Sequence, residues 1–168
     1  VTKNVSFEQA VKLGWIKAEE VPKAARPSRA RKSEIEGDEQ AELIEKFRAD
    51  YPDVGELLIH IPNGGARKNA FEGWRLKRQG VRAGVSDLFL PVARGGFFGL
   101  WIEFKAAPPN DAPVSDKQEE WLNLMHAQGY CVHLCLGVAA AMKVLVAYLA
   151  MPPTRPVRAR KRTSTTPA

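Results

Sequence analysis

The stretch VSDLFLPVARGGFFGLWIEFKA, residues 85–106, reads as two strands joined by a tight turn. Residues 85–92 and 97–106 are rich in Val, Leu, Phe, Ile and Trp, and Ala93-Arg94-Gly95-Gly96 between them supplies the glycines of a hairpin turn. With the turn centred near Gly95, Asp87 and Glu103 lie symmetrically about it. They become cross-strand neighbours with Cβ atoms about 4.5–5.5 Å apart. Side chains alternate along a strand, so Lys105 shares the face of Glu103 and Phe104 points to the other.

Two carboxylates opposed in this way repel each other unless a cation lies between them. Hard oxygen donors suit Mg²⁺ or Mn²⁺, and Mg²⁺ commonly takes one or two carboxylates while leaving positions for water and phosphate oxygens. Hydrolysis of a phosphodiester needs this combination, with a nearby ammonium to orient water and stabilise developing charge. A structural reading stands beside it: Asp87 caps a strand, and Glu103 and Lys105 form a solvated ion pair. Asp-x15-Glu-x-Lys is a loose pattern by itself. Trp101-Ile102-Glu103-Phe104-Lys105, however, sets its charges in an apolar run that reads as a central strand, where an unpaired charge is costly.

Outward from the hairpin, helices and strands alternate. Residues 34–49 form a helix with Leu43, Ile44 and Phe47 on its apolar face, and 56–61 form a strand closed by the turn Pro62-Asn63-Gly64-Gly65. Residues 66–79 are helical and stop at Gly80. Beyond the hairpin come a helix over 115–128, a strand over 130–136 and a helix over 137–149. The order α-β-α-β-β-α-β-α predicts an α/β fold, a mixed β-sheet flanked by helices. Residues 6–16 suggest a short helix and 21–33 a basic, Pro-containing linker, while 152–168 read as a disordered Pro/Thr/Arg-rich tail. The expected organisation is thus a short helix and linker over 1–33, one folded domain over 34–151 and a tail over 152–168.

The 168 residues carry 25 Lys and Arg against 19 Asp and Glu, a net +6. That excess belongs to the ends, because residues 1–33 and 152–168 are strongly basic and the stretch between them holds more acids than bases. A basic pI suggests a nucleic-acid partner. Here it speaks for the tails and not for the core. Composition excludes a collagen-like or wholly disordered chain. The apolar run near 130–151 is broken by His133 and Lys143, so no membrane span is expected. The N-terminus lacks the apolar stretch of a signal peptide, and the expected location is cytoplasmic.

The stretches IPNGGARKNAFEGWRLKRQGVRAGVSDLFLPVARGGFFGLWIEFKA and SDKQEEWLNLMHAQGYCVHLCLG resemble the virus-type replication-repair nuclease (VRR-NUC) domain of the PD-(D/E)XK superfamily. The resemblance covers about residues 34–149 and combines PNGG, the G-V-x-x-G-V-x-D approach to Asp87, I-E-F-K and a Gln in the following helix. It implies a PD-(D/E)XK restriction-endonuclease-like fold and a Mg²⁺- or Mn²⁺-dependent endonuclease acting on structured DNA. Small standalone members, common in bacteriophages, resemble Holliday-junction resolvases and act as homodimers, whereas larger relatives process flaps. A phage-encoded member would work in the host cytoplasm.

By the same resemblance Asp87 and Glu103 become direct metal ligands, and Lys105 the water-positioning base or electrostatic stabiliser. The backbone carbonyl of Phe104 becomes a further ligand. Glu36 or Glu39 would supply the acid of the first helix that reaches the metal through water, with the E-x-x-x-Q register favouring Glu36. Ser86 stands where the superfamily name has Pro. Gln118 matches the family's Gln near the catalytic Lys or the DNA backbone, but Ser115-x-x-Gln118 is also a capping box.

Asn63 has a site-facing role by resemblance and a backbone role by its turn. Arg67, Lys68, Arg75, Lys77, Arg78 and Arg82 form a basic cluster, opposed only by Glu72, that reads as a phosphate track; a solvated helix face is the plainer account. Trp74 could stack on a base, but a Trp on an amphipathic helix is more often core; Cys131 and Cys135 are expected in the core, since their spacing does not fit a zinc site. The three histidines show no metal-ligand pairing. Besides a DNA endonuclease, the residues leave open a non-catalytic DNA-binding module of the same fold, a flap or nicking nuclease, and a small-phosphoester hydrolase.

Overall fold

The computed structural model describes residues 29–62 and 70–154. The expected helix at 6–16, most of the 21–33 linker, the turn residues Asn63-Gly64-Gly65, Arg67, Lys68 and the tail beyond 154 lie outside the described residues. The chain runs α1 (Arg29–Asp50), α2 (Pro52–Gly55), β1 (Ile59–His60), α3 (Ala70–Arg78), β2 (Leu88–Leu90), β3 (Leu100–Lys105), α4 (Asp116–Ala127), β4 (Cys131–Leu136) and α5 (Gly137–Leu149).

The four strands form one sheet in the order β1-β2-β3-β4, antiparallel from β1 to β3 and parallel between β3 and β4. A parallel pair needs a crossover, and α4 provides it. The sheet is therefore mixed and flanked by helices, as the element order predicts. Leu88 pairs with Ile102 and Leu90 with Leu100. Extending that register by one residue sets Asp87 opposite Glu103, the arrangement expected from the hairpin.

The turn works because both central residues are glycine. Gly95 and Gly96 have φ of 58° and 91°, the left-handed region that a two-residue hairpin turn requires. Phe97 N–H closes the turn on the Arg94 carbonyl at 2.8 Å. A Cβ on Gly95 would also lie 2.5 Å from Met151 Sδ.

Local chemistry explains where the elements depart from expectation. Helix α1 includes Arg29–Ser33, part of the stretch read as linker, because Arg, Ala and Lys are good helix formers. The strand expected over 85–92 shrinks to Leu88–Leu90, since Pro91 has no N–H to give the ladder. The strand expected over 56–61 is reduced to Ile59–His60, because Pro52 at the first turn of α2 starts a helix instead. Residues 152–154 are bonded back to the hairpin turn: Gly95 N–H donates to the Pro152 carbonyl at 2.8 Å and Gly96 N–H to Thr154 Oγ1 at 2.9 Å.

One sheet face buries Leu88, Leu90, Leu100, Ile102 and Phe104 against Leu43 and Phe47 of α1 and Leu145 and Tyr148 of α5. Tyr148 completes this layer by donating its hydroxyl to the Val92 carbonyl at 2.7 Å. On the opposite face Phe89 stacks on Trp101 with centroids 4.3 Å apart, and Trp121 of α4 meets Trp101 edge-on at 5.4 Å. Both faces of β3 are thus covered, and every residue of this strand is buried. Cys131 and Cys135 are buried free thiols, as expected. Among the described residues no helix is long and apolar enough to cross a membrane.

Candidate active site at the end of the central strands

Burial of β3 makes its two charges expensive. Glu103 is 0% exposed and Lys105 is 5% exposed, so neither can be solvated and each must find a partner. They find each other, with Lys105 Nζ 2.9 Å from Glu103 Oε1. The i,i+2 spacing that places both on one face is the local reason. Lys105 also approaches Glu36 Oε1 of α1 at 3.7 Å.

Asp87 enters from β2 and accepts the Phe104 N–H on Oδ2 at 3.0 Å. That bond fixes the carboxylate at the level of β3 and brings the main chain of Phe104 into the site, while the Phe104 side chain stays in the core. Gln118 approaches from α4 and holds two positions at once. Its Oε1 accepts the Ser115 N–H at 2.8 Å, which caps the helix, and its Nε2 donates to Glu103 Oε1. The capping and site-facing accounts of Gln118 therefore coexist.

The second oxygen of Glu103, Oε2, is buried with no hydrogen-bond donor among the described residues. Burial first, and then the negative charge of Asp87, push the Glu103 carboxyl well above its ordinary range, to about 8, against the pull of Lys105. Glu36 is raised in the same direction, by burial and by Asp87, with Lys105 opposing. Burial works against the Lys105 charge, but Glu103, Glu36 and Asp87 outweigh it and its pKa is raised. Lys105 therefore carries its proton at neutral pH and can donate a hydrogen bond there.

The two acids proposed from the first helix separate in space. Glu36 faces Lys105, whereas Glu39 Oε2 accepts the Ala107 N–H at 2.8 Å and so ties α1 to the end of β3. Asp87, Glu103, Lys105, Gln118 and Glu36 thus converge, with Phe104 contributing its main chain. Among the described residues no group of three or more His, Cys, Asp or Glu side chains is gathered so as to hold a metal ion. The donors that could hold a cation are hard oxygens: the Asp87 carboxylate, Glu103 Oε2 and the Phe104 carbonyl.

The basic cluster is only partly gathered here. Arg75, Lys77, Arg78 and Arg82 are exposed. Arg82 is held against α4 by Glu120 at 3.0 Å and lies over the Trp121 ring at 5.5 Å. Trp74, expected in the core, is 52% exposed. The reason is that no described helix or strand packs along α3.

His60 and Gln40 escaped the sequence reading as site residues. His60 Nδ1 lies 3.1 Å from the Asp87 carbonyl oxygen and 2.8 Å from Gln40 Nε2; in the Nδ1–H tautomer the ring donates to that carbonyl and braces the main chain of Asp87 from the β1 side, and in the other it accepts from Gln40 instead. The available signal was that β1 must pair beside Asp87. A lone exposed His gives no other.

Gly84, in the approach to Asp87, adopts φ of 87° and sits so close to α4 that a Cβ would fall 2.3 Å from the Lys117 carbonyl oxygen. This gives the glycine of the G-V-x-D motif a physical reason: it lets the chain pass under the first turn of α4 on its way to the site.

The VRR-NUC domain model matches residues 34–139. A search of curated proteins gives no match. A solved structure described as a VRR_NUC domain protein has a similar fold, with a TM-score of 0.60 at 23% identity, covering 71% of this chain and 91% of that one. The matched residues span more than half the chain and contain every converging side chain described above, and this chain accordingly belongs to the VRR-NUC domain family, a family of nuclease type.

Proposed function

We propose that the protein is a Mg²⁺- or Mn²⁺-dependent endodeoxyribonuclease selective for branched DNA, with a Holliday-junction resolvase-like activity. The observation that carries this reading is the buried Glu103 Oε2, which lacks a donor and lies opposite Asp87 on a strand that also holds Lys105. Burial and the facing Asp87 carboxylate oppose ionisation of Glu103 in the metal-free protein, and a divalent cation would offset that cost by neutralising both carboxylates. The donor set of carboxylates and a main-chain carbonyl fits Mg²⁺ or Mn²⁺.

Asp87, Glu103 and the Phe104 carbonyl would hold the ion, with Glu36 reaching it through water. When bound, the ion supplies Lewis-acid polarisation of a phosphate oxygen and lowers the pKa of water. The protein's own groups do the rest. Gln118 and Lys105 fix Glu103, and Asp87 is fixed by the Phe104 amide. The Lys105 ammonium, being protonated, orients water and stabilises charge on the phosphate as an electrostatic group rather than as a base. The exposed Arg75, Lys77 and Arg78 supply phosphate contacts; Asn63, Arg67 and Lys68, which lie outside the described residues, are assigned a DNA-binding role on the sequence alone.

The resolvase reading entails a homodimer presenting two sites to opposed strands, and a cytoplasmic location, in the host for a phage-encoded chain. The test is cleavage of four-way junction, flap, single-stranded and linear duplex DNA with Mg²⁺ or Mn²⁺, by wild type and by Glu103→Ala and Lys105→Ala. The expected result is preferential junction cleavage lost in both variants. Equal cleavage by the variants, or none of any DNA by wild type, rejects the nuclease. Sedimentation showing only a monomer rejects the resolvase form.

A further inference from the structure

Helix α3 presents an unusual surface for a protein of this composition. Phe71 is 70% exposed and Trp74 is 52% exposed. Their rings stack with centroids 5.8 Å apart and an interplanar angle of 28°. The Arg78 guanidinium lies 4.8 Å from the Trp74 ring centroid. Residues 71, 74, 75 and 78 follow the i, i+3, i+4, i+7 spacing of a single helical stripe, so two aromatic rings and two guanidiniums share one exposed face. Arg75 and Arg78, with Gln79, also line a shallow hollow on that helix.

We propose that this stripe is a binding platform for unpaired nucleobases, with Phe71 and Trp74 stacking on the bases and Arg75 and Arg78 seating the adjoining phosphates. The inference rests on the nuclease reading above and names the part of the substrate that α3 receives.

Three arguments support that occupant. An apolar protein partner would have to bury Arg75 and Arg78 without counter-charges, which is costly, whereas a nucleic-acid strand brings phosphates for the guanidiniums and faces for the rings. A fully paired duplex hides its base faces inside the stack, so only unpaired nucleotides, such as those at a branch point or gap, offer them. The placement also fits. The α3 excursion leaves the sheet just after His60 and rejoins it at Asp87, and these two points are bonded to each other at the site: the Ile61 N–H donates to the Asp87 carbonyl at 2.8 Å. The return leg is fixed to α4 through Arg82 and Glu120.

The test compares wild type, Trp74→Ala, Trp74→Phe and Phe71→Ala, each checked by circular dichroism. Anisotropy in EDTA measures binding to an oligo-dT strand and to a fully paired duplex of equal length. Trp74→Ala should lose about tenfold to a hundredfold in affinity for oligo-dT and stay within about twofold on duplex. Trp74→Phe should retain most of the affinity. A 2-aminopurine base in the single strand should be quenched by wild type and not by Trp74→Ala.

Unchanged oligo-dT affinity in Trp74→Ala and Phe71→Ala overturns the platform, as does an equal loss on both DNAs. A change in sedimentation with oligo-dT affinity intact also overturns it and assigns the stripe to a second copy of the chain. Cleavage by wild type with Mg²⁺ or Mn²⁺ separates the two readings. If wild type cleaves and the α3 variants bind normally, the platform alone falls; if wild type neither binds nor cleaves any DNA, the nuclease reading falls and the platform with it.

Discussion

Replacing Glu103 by Gln keeps the shape of the side chain and removes the charge that burial and Asp87 oppose. In the metal-free protein the Glu103 carboxyl is raised from 4.5 to about 8. Below about pH 4.5 the group is protonated in both the folded and unfolded states, and it costs nothing. As pH rises toward 8 the unfolded chain releases its proton while the folded one keeps it, so stability falls through that window. Each unit of difference is worth about 1.4 kcal/mol, which makes the loss between pH 5 and pH 8 about 2–5 kcal/mol. Glu36 shifts in the same direction but is present in both proteins, so it cancels in the comparison. For a domain of this size a kilocalorie moves Tm by about 3–5 °C. In EDTA, wild type and Glu103→Gln should therefore melt together near pH 5, while at pH 8 the variant should melt about 6 °C higher or more. Mg²⁺ at a hundred times its Kd should then raise wild type by about 2.7 kcal/mol at pH 8 and leave the variant unmoved. Thermal unfolding by circular dichroism at the two pH values, with and without Mg²⁺, measures all of this. A variant less stable than wild type at pH 8 in EDTA would mean that the Lys105 pairing outweighs the burial and repulsion. The argument for a destabilised, cation-seeking carboxylate would then be refuted.

Lys105→Ala should lower the cleavage rate by about a hundredfold or more, since it removes the ammonium from the site. It should also cost about 1–3 kcal/mol of stability, because Glu103 Oε1 loses the hydrogen bond that the Lys105 ammonium donates to it; single-turnover kinetics and denaturant unfolding read the two effects separately. Gln118→Ala removes both the cap on Ser115 and the donor to Glu103, and should lower stability by about 1–3 kcal/mol in urea unfolding. Gly84→Ala, with its Cβ driven into the Lys117 carbonyl at a positive φ, should cost about 2 kcal/mol or more and displace the approach to Asp87. Gly80→Ala, also at a positive φ but with open space around it, should cost only about 1 kcal/mol; equal losses at the two glycines would show that the contact with α4 carries no weight.

The hairpin was legible because its information is local. Period-2 alternation and a two-glycine turn fix the register, and the register sets Asp87 against Glu103. The bounds of α5 match the expected 137–149 for a similar reason, since the last helix follows a strand directly and its apolar pattern is uninterrupted. Trp74 was misread because an aromatic residue in an amphipathic pattern looks the same whether or not another element covers it. The E-x-x-x-Q register favours Glu36 over Glu39, but spacing along α1 does not separate them, for both lie on one side of it. The choice depends on which of them overlooks Lys105 and which meets the Ala107 amide.

The strand–turn–strand unit, the alternation of helices around it and the residue types at the site are all legible from spacing along single elements. How those residues act together follows from packing between elements. Packing of α1, α4 and β2 around β3 brings Glu36, Gln118 and Asp87 to the Glu103–Lys105 pair, while no described helix or strand packs along α3 and its rings are exposed. Burial is a property of the assembled sheet and not of any segment, and it is burial that leaves Glu103 Oε2 without a donor and raises its carboxyl.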